Sequence, residues 1–401
     1  MRGSWEQLNG VNQNAASLVS LNKMRFRVGF QELACFRCLA LVCWAYGSAA
    51  TPAGHGLAHS AWPQALHDSE NSSLGPVMKA HGHVVWSYDF GSPYGGFGTP
   101  VIGEDGTVYC DLGRRICAVS HGGKLCWSFS RADLNFFESP VLAADGTIYI
   151  ASWSGLVALS SNGQFKWLFK TAGRCGQPAL SDDGTVFCGS QSGVLYAVSR
   201  EGRVRWSKDF DGPIHAPPAI DSAGRIYFGS KDSNFYCVNH NGHVAWRYRA
   251  TWKNDTALTL GPDATVYAPS LDGILYALTT GGKLRWTFNS KGSSLQTPVS
   301  LGPSGLIYLV GSDRSGFVLD SHGKLVRKFP ALYGCAVSVA GDGSACEAQA
   351  GSVKAFAADG SPLWTFPITD KHTDTIQNQP SIGRDGLVYL LTDFGVLYAT
   401  D

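Results

Sequence analysis

Short apolar runs separated by glycine-containing corners make up most of this chain. Residues 183–206 show the pattern: three runs rich in Val, Leu, Tyr and Phe lie between Asp-Gly, Ser-Gly and Glu-Gly corners, and the last run ends at Trp206. Glycine at such corners supplies the positive φ that a tight turn needs. The unit therefore predicts consecutive antiparallel hairpins.

The same unit recurs along the chain with a Gly-x-x-x-Trp signature at a spacing of 37–41 residues. The eight copies begin at Gly82, Gly123, Gly163, Gly202, Gly242, Gly282, Gly323 and Gly360. A period of about 40 residues in an all-β sequence is typical of a β-propeller, in which one repeat makes one four-stranded blade. The sequence predicts an all-β fold: an eight-bladed propeller of four-stranded antiparallel blades.

The two ends of the repeat region indicate how the ring closes. The run at residues 394–401 is the third strand of the eighth unit, and the strand around Trp86 has no inner strands before it. We expect the Trp86 strand to complete the last blade, which leaves no open sheet edge. The seventh unit has Arg327 at the tryptophan position, and we expect its blade to be the least well packed. The repeated tryptophans are interpreted as packing between blades.

The sequence before the repeats lacks this pattern. Residues 1–50 are predicted to be a leader that contains a secretory signal, with Met24 as an alternative start and cleavage near Ala50. Lipidation at a leader cysteine is a minor alternative, because Val42 precedes Cys43 where a small residue is expected. Residues 51–78 are predicted to be a linker, and residues 79–401 the propeller. We therefore expect an exported protein, either periplasmic or extracellular, without an integral membrane span.

Composition and charge narrow the function classes. The chain has 12 Trp, 15 Tyr and 20 Phe but only 3 Met, which favours strands over helices. The formal net charge is +1, and no segment concentrates like charges. Nucleic acid is therefore not an expected partner, since binding it needs a basic surface. We expect a monomer.

The motifs at residues 273–278 (Gly-Ile-Leu-Tyr-Ala-Leu) and 282–286 (Gly-Lys-Leu-Arg-Trp) resemble the pyrroloquinoline-quinone-type (PQQ-like) β-propeller repeat. The resemblance covers about residues 82–401. It implies one of two functions, since the superfamily contains quinoprotein alcohol dehydrogenases and non-catalytic propellers of the BamB type, which act in outer-membrane assembly.

Two departures favour the non-catalytic branch. The dehydrogenase repeat has Asp after the Ala, whereas this chain has Ser199 or Thr279 in that region and a shorter segment. The chain has no Cys-Cys dipeptide of the kind that lies against the cofactor in those enzymes, and no C-x-x-C-H haem site.

The loops that enter the inner strands are expected to form the rim of a central channel. They supply polar and aromatic candidates for a binding site: Phe137, Glu138, Arg174, Gln177, His215, Trp252, Asn254, Asp255, Gln296, Tyr333, His372, Asp374 and Asn378. Oxygen atoms of Glu138, Asn254 or Asp255, and Asn378 suit Ca²⁺. Arg174 suits a carboxylate and Trp252 a planar ring. The alternative is that these loops are polar only because they contact water.

Cysteines and sequons supply further candidates. Cys110 with Cys117 and Cys335 with Cys346 each flank one predicted hairpin, so they are candidate disulfides in an exported protein; buried free thiols are the alternative. Asn71-Ser-Ser and Asn254-Asp-Thr are N-glycosylation sequons, which have a meaning only in a eukaryotic protein.

Three functions remain as hypotheses. The leading one is a binding or scaffold module for a protein or polymer partner at the rim. The alternative is a quinoprotein-type oxidoreductase that uses PQQ and Ca²⁺ in the channel, with Asp255 or Glu138 as base. The third is carbohydrate processing by paired carboxylates, Glu138 with Asp255 or Asp374.

Overall fold

The computed structural model describes residues 56–91, 98–331, 335–349, 351–368, 376 and 378–401. The regular structure of these residues consists of strands in eight sheets. The predicted leader, and Tyr333, His372 and Asp374 among the rim candidates, lie outside the described residues. A search of the described part of the chain finds no helix with the length and apolarity needed to cross a membrane.

Two strands precede the first complete blade: β1 (Leu74–Gly75) and β2 (Val84–Asp89). Blades 1 to 4 each contain four consecutive strands: β3 (Val101–Ile102), β4 (Val108–Asp111), β5 (Arg115–Val119) and β6 (Leu125–Ser130); β7 (Val141–Leu142), β8 (Ile148–Ser152), β9 (Gly155–Leu159) and β10 (Phe165–Lys170); β11 (Ala179–Leu180), β12 (Val186–Cys188), β13 (Val194–Val198) and β14 (Val204–Asp209); and β15 (Ala219–Ile220), β16 (Ile226–Ser230), β17 (Asn234–Val238) and β18 (Val244–Arg249).

Blades 5 to 7 repeat the arrangement: β19 (Thr259–Leu260), β20 (Thr265–Pro269), β21 (Ile274–Thr279) and β22 (Leu284–Asn289); β23 (Ser300–Leu301), β24 (Ile307–Val310), β25 (Ser315–Leu319) and β26 (Leu325–Pro330); and β27 (Ser338–Ala340), β28 (Ala345–Gln349), β29 (Ser352–Phe356) and β30 (Pro362–Pro367). Blade 8 contains β31 (Ser381–Ile382), β32 (Val388–Leu391) and β33 (Val396–Thr400). Within each blade, neighbouring strands in sequence pair antiparallel.

The ring closes as the sequence predicts. Strand β2 pairs antiparallel with β33, with Trp86 opposite Ala399, and so supplies the fourth strand of blade 8. The eight-bladed all-β architecture is confirmed.

The recurring Gly and Trp residues join adjacent blades, which confirms the packing interpretation. The indole Nε1 of Trp167 in blade 2 donates a hydrogen bond to the carbonyl of Arg200 in blade 3, at 2.9 Å. A Cβ added at Gly202 would lie 2.7 Å from Cδ2 of the same indole, and Gly202 has a φ of +78°. A residue without a side chain is therefore required at this contact. The equivalent contact is made by Trp86, Trp127, Trp206, Trp246 and Trp286 with the glycine of the next blade.

The junction between blades 6 and 7 departs from the pattern. Arg327 on β26 of blade 6 stands at the tryptophan position, and its guanidinium lies against Gly360 of blade 7 and donates to the carbonyl of Ala358. Blade 7 also gains a fifth strand, since β1 pairs parallel with β27, with Leu74 opposite Val339.

The segment before the propeller closes one end of the channel. We call residues 56–76 the plug. Its carbonyl oxygens accept hydrogen bonds from the ends of the first strands of six blades, at 2.7–3.1 Å; the donors are the backbone N–H groups of Ile102, Leu142, Ile220, Leu260, Leu301 and Val339. The side chain of Trp62 is fully buried. The side chain of Arg384 in blade 8 donates to the carbonyl of His59.

The linker prediction therefore does not describe residues 56–78. The plug replaces the water that would otherwise satisfy backbone N–H groups at the ends of the inner strands, and buried backbone donors require such partners. Its sequence has no hydrophobic period because it follows the ring of strand ends rather than the face of a helix or sheet.

Candidate functional site

A cavity of about 240 Å³ lies on the channel axis. The residues that line it come from all eight blades, mostly from positions just before the first strands. We call this end of the propeller the rim face. On the opposite side the cavity meets Ala65 and Leu66 of the plug. The plug therefore closes the channel cavity at the end opposite the rim face, and a ligand would enter from the rim face.

Glu138 and Arg174 form an ion pair at the cavity wall. Their closest atoms, Oε1 and Nη2, are 3.4 Å apart, and the guanidinium lies 3.5 Å from the ring centroid of Phe137. Only 24% of the Glu138 side chain is exposed. Burial raises the pKa of Glu138 to about 7; Arg174 opposes the shift and Asp255 adds to it. A carboxyl whose pKa lies near the working pH suits the role of a general acid or base.

The pKa of Asp255 is lowered, whereas that of Glu138 is raised. The Oδ2 atom of Asp255 is 2.8 Å from Nζ of Lys231 and 3.0 Å from Nδ1 of His215. Burial acts to raise the pKa of Asp255, but the contacts with His215 and Lys231 outweigh it and hold the pKa below its usual range. These contacts favour the anionic form of Asp255, whose negative charge lies beside the positive charge of Lys231.

The structure brings together seven of the predicted rim residues. Glu138, Gln177, Asp255, Gln296 and Asn378 line the cavity, and Arg174 and His215 contact its two carboxylates. Phe137 lies behind them, against the guanidinium of Arg174.

Two predicted residues lie elsewhere. Trp252 is 58% exposed on the rim face and does not line the cavity, so it offers no stacking surface within it. Asn254 is fully buried beside Gly229, also outside the cavity lining. Alternating direction along the short loop before β19 points Asp255, but not its neighbour, towards the channel axis.

Sequence reasoning missed Lys231, because this residue follows β16 in a hairpin rather than in a loop that enters a first strand. It also missed Asp111 at the end of β4. Asp111 is fully buried and accepts a hydrogen bond from the N–H of Gly113. Burial, with repulsion from Glu138, raises its pKa well above the usual range. A strand pattern broken by a carboxylate at residue 111 was the available signal.

The described residues do not fit a calcium ion. They contain no group of three or more His, Cys, Asp or Glu side chains arranged to hold a metal. The two cavity carboxylates face Arg174 and Lys231 at 3.4 and 2.8 Å, so cations of the chain itself occupy the positions where a metal would be balanced. Calcium binding needs about six to eight converging oxygen ligands.

Of the two alternatives for the cysteines, the structure shows free thiols rather than disulfides. The eight cysteines of the described residues are free thiols. Cys110 and Cys117 do lie directly opposite one another on β4 and β5, as predicted, but without a bond. Cys346 instead lies opposite Ser338, three residues beyond Cys335.

Both sequon asparagines, Asn71 and Asn254, are fully buried. The amide of Asn71 donates to the carbonyl of Leu258 at 3.0 Å. A glycan at either position is incompatible with this packing.

Comparison with known proteins finds one matching family profile and many solved structures with a similar fold. A profile of the family described as "Outer membrane protein assembly factor BamB" matches residues 157–292. No curated protein sequence matches the chain significantly.

Three similar solved structures represent both functional branches. A quinohemoprotein alcohol dehydrogenase from Comamonas testosteroni has a TM-score of 0.70 at 14% identity, over 84% of this chain and 80% of that one. A europium-containing methanol dehydrogenase has a TM-score of 0.67 at 15% identity, over 82% and 89%. BamB from Moraxella catarrhalis has a TM-score of 0.64 at 17% identity, over 79% and 98%.

At these identities the structural likeness concerns the fold, whereas the family profile matches the repeats themselves. The eight blades and the Gly–Trp contacts between them give this chain a fold similar to that of the PQQ-like β-propellers, and its repeats at residues 157–292 match the family profile.

Proposed function

We propose that this chain is an exported binding or scaffold module that engages a protein or polymer partner at its rim face. The observation that carries the proposal is a pair of exposed tryptophans on that face. Trp153 is 63% exposed and Trp252 is 58% exposed. Large aromatic side chains that remain exposed are frequent anchors of protein interfaces, because they bury much apolar area with few rotatable bonds.

The surroundings of Trp153 support a preformed surface. Its N–H donates to the carbonyl of Asn135 at 3.1 Å, and its indole meets the ring of Phe137 edge to face, with centroids 6.5 Å apart. The guanidinium of Arg174 lies over the ring of Phe137 and forms the ion pair with Glu138. The aromatic anchor and the charged cavity wall thus form one continuous structure, and little reorganisation is needed on binding.

The relatives support the proposal at the level of the family. The profile that matches residues 157–292 is that of an outer-membrane protein assembly factor, and such a role is fulfilled by contacts with other proteins. Export of this chain is part of the proposal and agrees with the leader predicted for residues 1–50.

A quinoprotein-type oxidoreductase is the second candidate. Its support is the likeness of fold to two alcohol-oxidising enzymes and the presence of Glu138, whose pKa near 7 suits a base. The cation pairing of both cavity carboxylates and the outward position of Trp252 count against it.

The proposal is tested by placing a photo-crosslinking amino acid at position 153 or 252 of the full chain, in extracts of the native source. Position 326 is the matched control, because Val326 is 55% exposed but lies on β26. We expect the same adduct from positions 153 and 252 and none from position 326. Trp153→Ser and Trp252→Ser should each weaken capture of that partner about 30-fold, the effect of losing about 2 kcal/mol at an anchor residue. Equal crosslinking from all three positions would remove the basis of the proposal.

A further inference from the structure

Seven of the sixteen residues that line the channel cavity carry uncharged hydroxyl or amide side chains, and one of these, Gln296, is exposed. The other six come from five blades and are each at least nine-tenths buried: Thr99, Ser139, Gln177, Thr256, Asn378 and Gln379. A ring of neutral donors and acceptors differs from the apolar lining that is usual in pockets for flat or hydrophobic ligands.

Gln177 shows that this lining is not satisfied by the protein alone. Its backbone N–H donates to the carbonyl of His215 at 3.0 Å, which fixes the residue at the cavity. Its side-chain amide has no hydrogen-bond partner among the described residues, although only 8% of the residue is exposed. The side-chain Oε1 of Gln379, also in the lining, is buried without a partner. Polar groups in such positions are expected to bind a ligand or ordered water.

The charges around the cavity favour an uncharged ligand. The only ionisable residues in its described lining are Glu138 and Asp255. Arg174 lies 3.4 Å from the first carboxylate, and Lys231 lies 2.8 Å from the second. A cationic ligand would meet these two basic side chains, and an anionic one the two carboxylates. A neutral ligand avoids both costs of burying an unpaired charge.

The volume sets the size of the ligand. The cavity has a volume of about 240 Å³, far above the ~10–15 Å³ that one water needs by the same measure. This is enough for one sugar ring or a linear polyol of similar size. Hydroxyl groups on several sides of such a molecule would match a lining that presents donors and acceptors from five blades.

We propose that the channel cavity is a binding site for one uncharged polyhydroxyl unit, of the size of a monosaccharide, which enters from the rim face and rests on Ala65 and Leu66 of the plug. The site binds the unit without reaction. The unit would not contact the exposed tryptophans of the rim face, which do not line the cavity, and its binding does not depend on the proposed partner.

The test is saturation-transfer NMR and calorimetry on the full chain, with glucose, myo-inositol and sorbitol as polyol probes. Putrescine serves as the cationic probe and succinate as the anionic one. We expect saturable binding of a polyol with a dissociation constant of about 1 mM, no binding of the charged probes, and unchanged polyol signals after incubation. Failure of all three polyols to saturate would overturn the proposal, as would binding of a charged probe in their place.

Two variants locate the site. Gln177→Leu removes the free amide at nearly constant size and should weaken polyol binding at least tenfold. The matched control is Gln191→Leu, since Gln191 is in the same blade but exposed and outside the cavity lining. The affinity of this variant for the polyol should equal that of wild type. If Gln177→Leu does not fold, Thr99→Val removes a cavity hydroxyl instead. Equal affinities of the cavity variants and the control would contradict the assignment. Because crosslinking at residues 153 and 252 needs no polyol, failure here leaves the partner surface to be judged separately.

Discussion

Replacing Gly75 with Ala tests whether the plug is a fixed part of this fold. A Cβ at Gly75 would lie 2.5 Å from Cζ3 of Trp62, closer than real Cβ contacts. Trp62 is fully buried, so its ring cannot move away freely. Gly75 does not have a positive φ, and the substitution therefore adds little backbone strain. Overpacking of this kind costs about 1–3 kcal/mol, which we expect as the loss in free energy of unfolding of Gly75→Ala.

Gly341→Ala is the matched control, because Gly341 lies at the same contact between plug and blade 7. A Cβ there would be 3.5 Å from the nearest atom, the carbonyl oxygen of Gly75, which is an ordinary contact. We expect its free energy of unfolding to remain within about 0.5 kcal/mol of wild type.

Urea denaturation followed by circular dichroism measures both variants. Hydrogen exchange adds a local readout, since the N–H of Ile102 donates to the carbonyl of Trp62 at 2.8 Å and should lose protection in Gly75→Ala alone. Equal stabilities of the two variants, or unchanged exchange at Ile102, would refute the view that the plug is packed into the channel.

Two further predictions concern the blades and the cavity. The free energy of unfolding of Gly202→Ala should be about 1–3 kcal/mol lower than that of Gly305→Ala. Both glycines have a positive φ, but only a Cβ at residue 202 would clash, with Trp167. Equal urea midpoints of the two variants would contradict the Gly–Trp contact. The raised pKa of Glu138 means that the folded state binds this proton more tightly than the unfolded state does. The carboxyl therefore lowers the free energy of unfolding as pH rises from about 4.5 to about 7, by about 3 kcal/mol at most. Glu138→Gln should therefore gain stability relative to wild type between pH 4.5 and 8 in urea denaturation, whereas a difference independent of pH would show that the carboxyl titrates normally.

The propeller could be predicted because its structure repeats in the sequence. The contact between Trp167 and Gly202 recurs around the ring, so both residue types recur at a fixed spacing. The Trp86 strand could be assigned to the last blade because the eighth unit lacked one strand. The plug could not be predicted, since Trp62 and Asn71 are buried by strand ends that lie far apart in sequence.

The site could be predicted only as a set of loops. Glu138 and Asp255 are found together because both precede a first strand, which is visible in the sequence. Lys231 is brought to Asp255 by a hairpin of the neighbouring blade, and the sequence carries no sign of that contact. The direction of Trp252, outward rather than into the channel, depends on local loop geometry that the repeat does not determine.

The central claim is that this propeller is a binding module rather than a quinoprotein enzyme. It is tested most directly by titrating the purified full chain with PQQ in the presence of Ca²⁺ while recording the cofactor absorbance and the thermal midpoint of the protein. The cation-paired carboxylates of the channel cavity predict no spectral change and no rise in the midpoint. A saturable spectral change accompanied by dye-linked oxidation of an alcohol or a sugar would contradict the account.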